Sequence, residues 1–189
     1  MLYHQDIHKN LIDQCKAGKS KAQYELYQCY AKAMYNICYR MMNNREEAED
    51  MLQESFTDAF LHLETFRFDS SFGAWLKRIT INKCINALAK RHPDITSVEI
   101  LPDLISNSNN TDEEEDEFTR FTVTRIQKAM EKLPDGYRVI FSLYLLEGYD
   151  HLEIAQILGI NEATSKSQYS RAKQKIRELI KFEGDERQA

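Results

Sequence analysis

Cations and amides cluster in two parts of this 189-residue chain that contain no acidic residue. The segment Ala163 to Arg177 has five lysines and arginines, and the segment Ser71 to Pro93 has another five. Ammonium and guanidinium groups bind phosphates, whereas asparagine and glutamine amides pair with base edges. No paired acid and base, activated nucleophile or metal-ligand spacing accompanies them. The residue types therefore indicate nucleic-acid binding without catalysis, metal or cofactor.

The residues around the first cationic segment predict a helix-turn-helix. Asp150 and Glu153 have the spacing of a capping box, which would start a short helix. Gly159 can adopt the left-handed conformation that ends it, and Asn161 can cap a second, basic helix. A short brace helix before a basic helix fits the DNA major groove. An ordinary helical hairpin is the alternative, but the small Ala155 at the expected crossing favours DNA binding.

The second cationic segment predicts a helix from Phe72 to Arg91. Its expected buried stripe is Trp75, Leu76, Ile79, Ile85 and Leu88. Its expected outer side carries Asn82, Lys83, Asn86 and Lys90. The preceding loop has Phe66, Phe68 and Arg67, and aromatic rings beside cations suit unstacked single-stranded bases. Anchoring of the loop to the core is the alternative for each ring.

A third segment is acidic. Asn44 and Glu47 predict a helix start, and the helix then carries Glu49, Asp50 and Glu54. Acids in the first turn complement the helix dipole, but Glu54 lies too far along the helix for that explanation. This face is expected to meet either solvent or a basic protein partner.

Charge and composition divide the chain into two helical domains. Residues 94–117 hold nine acids and no lysine or arginine, so removing them changes the formal net charge from −5 to +4. Such a segment repels itself and buries little, which predicts a flexible acidic linker. The expected architecture is all-α, with domains at residues 1–92 and 119–183 joined by the linker at 93–118.

The remaining features argue for an ordinary intracellular protein. Ser20 and Gln23 predict a capped helix that runs to about Met42. Cys29 and Cys38 lie among apolar residues of that helix and are expected to be buried free thiols. No apolar run spans a bilayer and the N-terminus lacks a secretory signal, so a cytoplasmic location is expected.

Two blocks of sequence resemble a known family. AEDMLQESF followed by FGAWLKRITINKCINALAKR resembles region 2 of the extracytoplasmic-function (ECF) sigma factors of bacterial RNA polymerase. LPDGYRVIFSLYLLEGYDHLEIAQILGINEATSKSQYSRAKQKIREL resembles region 4 of the same family. The resemblance implies a transcription initiation factor that binds core polymerase, recognises the −10 and −35 promoter elements and promotes DNA opening. It implies no small-molecule substrate.

The resemblance also implies roles for individual residues. Core polymerase would be bound by Glu49, Asp50, Gln53 and Glu54. The −10 element would be bound by Phe66, Arg67, Phe72, Lys77, Arg78, Asn82, Lys83 and Asn86. The −35 element would be bound by Thr164, Lys166, Ser167, Gln168, Arg171 and Lys173. Family members commonly have glycine, valine and arginine where this chain has Ala163, Ser165 and Gln168, so Gln168 is expected to favour adenine over guanine.

Other interpretations remain open on the residues alone. A helix-turn-helix regulator with an N-terminal sensor or dimerisation domain is one, although such a domain needs no basic, amide-lined helix. A protein-interaction module that uses only the acidic helix is another. Within the family, inhibition by a membrane-anchored anti-sigma factor is common and is a further expected partner interaction.

Overall fold

The computed structural model describes residues 7–91 and 123–185, except for the side chains of 182–185. The chain divides into two compact units, Met1–Arg91 and His92–Ala189. The described residues are helical and include no strand, which confirms the predicted all-α fold class. The predicted acidic linker, 93–118, lies outside the described residues.

Residues 7–91 of the first unit form four α-helices and one short 3₁₀ turn. They are α1 (Lys9–Lys16), α2 (Ser20–Met42), α3 (Arg45–Leu61), the 3₁₀ turn Leu63–Thr65, and α4 (Phe72–Arg91). Asn43 ends α2 in the left-handed conformation, and the Asn44 side chain accepts a hydrogen bond from the Glu47 amide (3.2 Å), as predicted. The predicted cap at Ser20 is wrong, because Lys19 precedes the first helical residue and makes no side-chain cap.

The core of this unit lies among α2, α3 and α4. Its largest fully buried side chains include Leu26 and Met41 from α2 and Leu76, Ile81 and Leu88 from α4. Since α4 packs against both α2 and α3, its buried side differs from the predicted stripe.

Two predictions of burial in the first unit are corrected by the structure. Trp75, Ile79 and Ile85 are only partly buried, because Thr80, Ile81 and Cys84 occupy the inner positions of α4. The Thr80 hydroxyl is satisfied within its own helix by the Leu76 carbonyl (3.0 Å), which makes its burial possible. Cys38 is buried as expected, but Cys29 lies on the outer side of α2 and is exposed.

The described part of the second unit, residues 123–185, contains four α-helices. They are α5 (Val123–Glu131), α6 (Asp135–Phe141), which continues into a π-helical turn (Ser142–Leu146), α7 (His151–Leu158) and α8 (Glu162–Asp185). Pro134 immediately precedes α6 and separates it from α5. One cluster of buried side chains in the core of this unit is formed by Ala129, Met130, Leu133, Phe141, Ala172, Ile176 and Ile180.

The turn between α7 and α8 has the predicted helix-turn-helix chemistry. Asp150 and Glu153 form a reciprocal capping box, with backbone-to-side-chain bonds of 2.8 and 2.9 Å. Gly159 ends α7 with φ at +68°, and the Asn161 side chain accepts a hydrogen bond from the Thr164 amide (2.7 Å). Ala155 is buried, as a close helix crossing requires. These four local predictions are confirmed.

The capping box gives a first testable prediction. Replacing Asp150 by alanine removes the acceptor for the Glu153 amide and should lower the unfolding free energy of this unit by about 1 kcal/mol. Asp150→Asn keeps a good capping side chain and should lie within a few tenths of a kcal/mol of wild type. Chemical denaturation of the full chain, followed by circular dichroism, measures both. Equal losses for the two variants would contradict a capping role.

Candidate nucleic-acid interface

The outer side of α4 presents a regular row of polar side chains. Arg78, Asn82, Asn86 and Lys90 are spaced four residues apart and all four are exposed. Side chains at this spacing lie on one face of a helix. Arg78 and Lys90 have no ion-pair partner within the described part of the chain, so their charges are available to a polyanion. The half-buried Lys77 lies beside this row rather than within it.

Lys83 does not belong to that row, contrary to the sequence prediction. Its ammonium lies 2.8 Å from an Asp58 carboxylate oxygen and 3.5 Å from a Glu54 oxygen, both on α3. The hydrogen bond to Asp58 raises the pKa of Lys83, more than its partial burial lowers it. Arg91 forms a second ion pair between the helices with Glu47. Cations of α4 are therefore bound by acids of α3.

The aromatic loop before α4 is anchored to the core. Phe66 and Phe72 are 3% and 0% exposed, and their ring centres lie 5.6 Å apart. Trp75 contacts both rings at 5.2 and 5.6 Å. This burial contradicts the prediction that Phe66 and Phe72 stack directly on bases. The alternative, that they anchor the loop, describes both rings, whereas Arg67 is exposed.

Phe68 has different surroundings from the other rings of the loop. It is half-buried and has a positive φ of 62°, which is uncommon for a bulky residue. The ammonium groups of Lys9 and Lys16 lie 5.7 and 5.4 Å from its ring centre. Lys16 also donates a hydrogen bond to the Phe66 carbonyl oxygen (2.9 Å). No local pattern could predict the position of these two lysines, because they lie more than 50 residues before the cationic helix.

The acidic face of α3 is formed by residues on the side opposite its buried stripe. Asp50, Gln53 and Glu54 share one exposed side of the helix. Glu49 lies next to them and pairs with Arg45 (2.9 Å). The structure thus brings the four residues predicted to bind polymerase together on one helix, although Glu49 is paired with Arg45 and Glu54 with Lys83.

The basic helix α8 presents only part of its predicted site. Lys166 and Ser167 are exposed, while Thr164, Arg171 and Lys173 are half-buried at the surface. Gln168 is 4% exposed and faces the interior, so the prediction that it reads adenine is wrong. Its position follows from the spacing of the inner residues of α8, which continues through Ala172 and Ile176.

A polar contact joins the two helices of the helix-turn-helix. The His151 Nδ1 lies 2.9 Å from the Oγ of Ser165, which is completely buried. The His151 ring stacks on Tyr144, with ring centres 4.5 Å apart, and lies near Tyr169. Desolvation is the main reason that the pKa of His151 is lowered, and the nearby charge of Lys166 adds to the effect. The sequence prediction had missed this contact.

Two classes of site are absent from the described residues. No group of three or more histidine, cysteine, aspartate or glutamate side chains within 7–91 and 123–181 is placed to hold a metal ion. Among the described helices, none has the length and apolar character needed to cross a membrane.

Comparison with known proteins identifies the family. Residues 26–93 match the family model "Sigma-70 region 2" and residues 124–176 match "Sigma-70, region 4". The chain is 30% identical over 180 residues to the ECF RNA polymerase sigma factor SigW of Bacillus subtilis, which covers 92% of this chain and 96% of the relative. The chain belongs to the ECF sigma factors of the sigma-70 family. It is also 30% identical over 156 residues to SigM of the same organism, covering 82% and 93% of the two chains.

Solved structures share the fold of this sigma factor at lower sequence identity. The sigma factor RpoE from Bartonella quintana, crystallised with the anti-sigma factor NepR, matches with a TM-score of 0.54 and 21% identity over 84% of this chain and 96% of its own. CnrH, solved with the cytosolic domain of CnrY, matches with a TM-score of 0.52 and 22% identity over 90% and 95%. The family membership makes the protein a factor for transcription initiation, a function without catalytic chemistry of its own.

The contact between His151 and Ser165 predicts a pH dependence of this sigma factor's stability. Because folding lowers the pKa of His151, the unfolded chain takes up the proton first as the pH falls. The stabilisation that neutral His151 provides is complete above about pH 6.5, the ordinary pKa of histidine, and declines below that pH. His151→Asn retains a hydrogen-bonding group that does not titrate, so its unfolding free energy should change less between pH 7.5 and 5.5. Parallel pH profiles for the two proteins, measured by denaturant unfolding, would contradict this coupling.

Proposed function

We propose that this sigma factor binds core RNA polymerase through α3, binds the −10 element through α4 and its preceding loop, and binds the −35 element through α8. It acts in the cytoplasm with the polymerase, which performs all nucleotide addition. The observation that carries the proposal is the row of Arg78, Asn82, Asn86 and Lys90 on the outer side of α4. A protein that bound DNA through a helix-turn-helix alone would have no need of this second surface.

The exposed part of α3 supports the polymerase contact. Asp50, Gln53 and Glu54 lie on one side, and the opposite side of the helix is fixed by buried Leu52, Phe56 and Ala59, which the core of the first unit holds in place. An acidic surface repels DNA but complements a basic protein surface. Glu49 contributes less directly, because its carboxylate is already paired with Arg45.

The surface of α4 supports capture of the opened −10 strand. Two cations and two amides at four-residue spacing can meet consecutive phosphates and bases along a strand. Opening the duplex costs a few kcal/mol per unstacked base step, and binding of the exposed strand offsets that cost. Among the aromatic and cationic side chains of the loop, Arg67 and Phe68 remain accessible for this strand. Lys77 lies at the edge of the same surface.

The N-terminal half of α8 supports binding to the −35 element. Thr164, Lys166, Ser167, Arg171 and Lys173 retain surface exposure in the half of the helix that follows the turn. In a helix-turn-helix, this end of the second helix enters the major groove. Lys166 is paired with Glu162 at 2.7 Å, and Lys173 lies over the Tyr169 ring, so Arg171 is the cation without a partner among the described residues.

An anti-sigma factor is a further proposed partner. RpoE and CnrH share the fold of this chain. RpoE was solved in complex with the anti-sigma factor NepR, and CnrH in complex with the cytosolic domain of CnrY. A membrane-anchored inhibitor that covers the α3 and α8 surfaces would keep this protein from polymerase and DNA. Co-purification of the full chain with a single-pass membrane protein from its own bacterium tests this proposal.

Charge reversal on α3 tests the polymerase contact. Asp50→Lys places a cation in the acidic face and should weaken binding to core polymerase by tenfold or more, with a parallel loss of run-off transcription. Glu64→Lys makes the same charge change at an exposed position of the 3₁₀ turn and should bind normally. Titration of labelled sigma factor with core polymerase measures both affinities. Equal affinity for Asp50→Lys and Glu64→Lys would exclude this docking face.

Removal of one cation from α8 tests the −35 contact. Arg171→Ala should lower transcription from a promoter with an intact −35 element by about tenfold, within the 1–3 kcal/mol expected for a good base contact. On a promoter whose −35 element is scrambled, the same variant should resemble wild type. Lys128→Ala removes one exposed cation from α5 and serves as the control. A loss that is the same on both promoters would indicate a nonspecific role for Arg171.

A further inference from the structure

Asp58 joins α3 to a predicted DNA-binding side chain of α4. Its carboxylate lies 2.8 Å from the Lys83 ammonium, and Glu54 approaches the same ammonium at 3.5 Å. Asp58 follows Glu54 by one helical turn, so the two acids approach Lys83 from one side of α3. Neither the spacing in α3 nor the resemblance to the family had assigned a role to Asp58.

The charge at this contact differs from the charge that α4 presents elsewhere. One ammonium is shared between two carboxylates, so the group of three side chains carries a net charge of −1. A phosphate that approaches Lys83 therefore meets one bound cation and one surplus anion. Arg78 and Lys90, in contrast, lie on the same helix without an acidic partner among the described residues. The attraction of Lys83 for DNA is therefore reduced by two acids of α3.

Lys83 can also exchange its carboxylate partners for another anion. The side chains of Lys83, Asp58 and Glu54 are 26%, 37% and 55% exposed, so all three remain in contact with solvent. Ion pairs at this level of exposure are weak, because water screens the charges and the long side chains lose freedom when they pair. Loss of Asp58 would leave Lys83 with solvent and the longer contact to Glu54 at 3.5 Å, rather than buried without a partner.

We propose that Asp58 is a positioning residue that holds Lys83 against α3 and withholds it from DNA while the sigma factor is free. This inference rests on the proposed function, because it requires α4 to be a DNA-binding helix. The contact would weaken DNA binding by the free protein, because the first unit would meet DNA with Lys83 already bound by acids of α3. The acid that controls Lys83 lies one turn from Glu54, within the face proposed to bind polymerase.

The test uses the free full-length protein and a fluorescein-labelled (dT)20 strand, with fluorescence anisotropy at several salt concentrations. Asp58→Asn should tighten binding at 50 mM salt by threefold or more. If Lys83 gains one phosphate contact, the slope of log K against log salt should steepen by about 0.7, the single-strand value per phosphate. Glu46→Gln removes the same charge from an exposed position of α3 and should have a smaller effect on affinity and slope. Asp58→Glu should restore wild-type binding.

A double-mutant cycle decides whether the effect passes through Lys83. In a Lys83→Met background, Asp58→Asn should improve binding no more than Glu46→Gln does. The proposal is overturned if Asp58→Asn matches Glu46→Gln in the wild-type background, or if its gain persists without Lys83. Because this assay contains no polymerase and no promoter, its outcome is separate from that of run-off transcription with core polymerase, which tests the proposed function. Thermal unfolding of each variant verifies that the fold is retained.

Discussion

The rotation of α4 about its own axis determines which side chains the first unit can offer to DNA. Five inner residues at four-residue spacing are each buried to within 1% exposure: Phe72, Leu76, Thr80, Cys84 and Leu88. The row of Arg78, Asn82, Asn86 and Lys90 is displaced from them by two positions, which is about 200° around a helix. Burial of one row against α2 and α3 therefore orients the other toward solvent. Packing of the apolar core thus determines where the polar surface of α4 faces, and the cations need not contribute to that orientation.

The aromatic loop illustrates the same dependence on packing. Phe66, Phe72 and Trp75 form a cluster that attaches the loop to the start of α4. Aromatic side chains bury large apolar areas, so three contacting rings favour one loop conformation over the many open to an unanchored loop. In this loop conformation Phe68 has the unusual positive φ. The two lysines beside its ring belong to α1. The shape of the loop is thus set by its buried rings, while its accessible chemistry comes from the side chains between them.

Local sequence patterns predicted the helices and their ends well, but not the contacts between helices. The capping box at Asp150, the turn at Gly159 and the limits of α4 follow from residues within one or two turns of each other, and they are confirmed. The pairing of Lys83 with Asp58 joins residues 25 positions apart, and no periodicity within either helix contains that information. The acidic and basic surfaces that look separate along the sequence are therefore joined by ion pairs in the fold. The assignment of individual site residues changes accordingly, although the family and fold class do not.

The two polar residues at the inner side of α8 show why residue type was a poorer guide than spacing. Ser165 and Gln168 stand at three-residue spacing, and Ala172 and Ile176 continue the same buried side. Their polarity suggested contact with DNA, or weaker packing of α8 on its unit. Their position in the three- and four-residue spacing of the inner side chains instead requires burial. Ser165 obtains a partner in His151, whereas the Gln168 Oε1 is buried without a hydrogen-bond partner among the described residues. An unsatisfied buried amide oxygen destabilises a fold, so the apolar contacts of Ala172 and Ile176 must hold α8 in this rotation against that penalty. The same contacts direct Arg171 and Ser167 toward the surface, so the residues proposed to bind the −35 element are positioned by side chains on the buried side of α8.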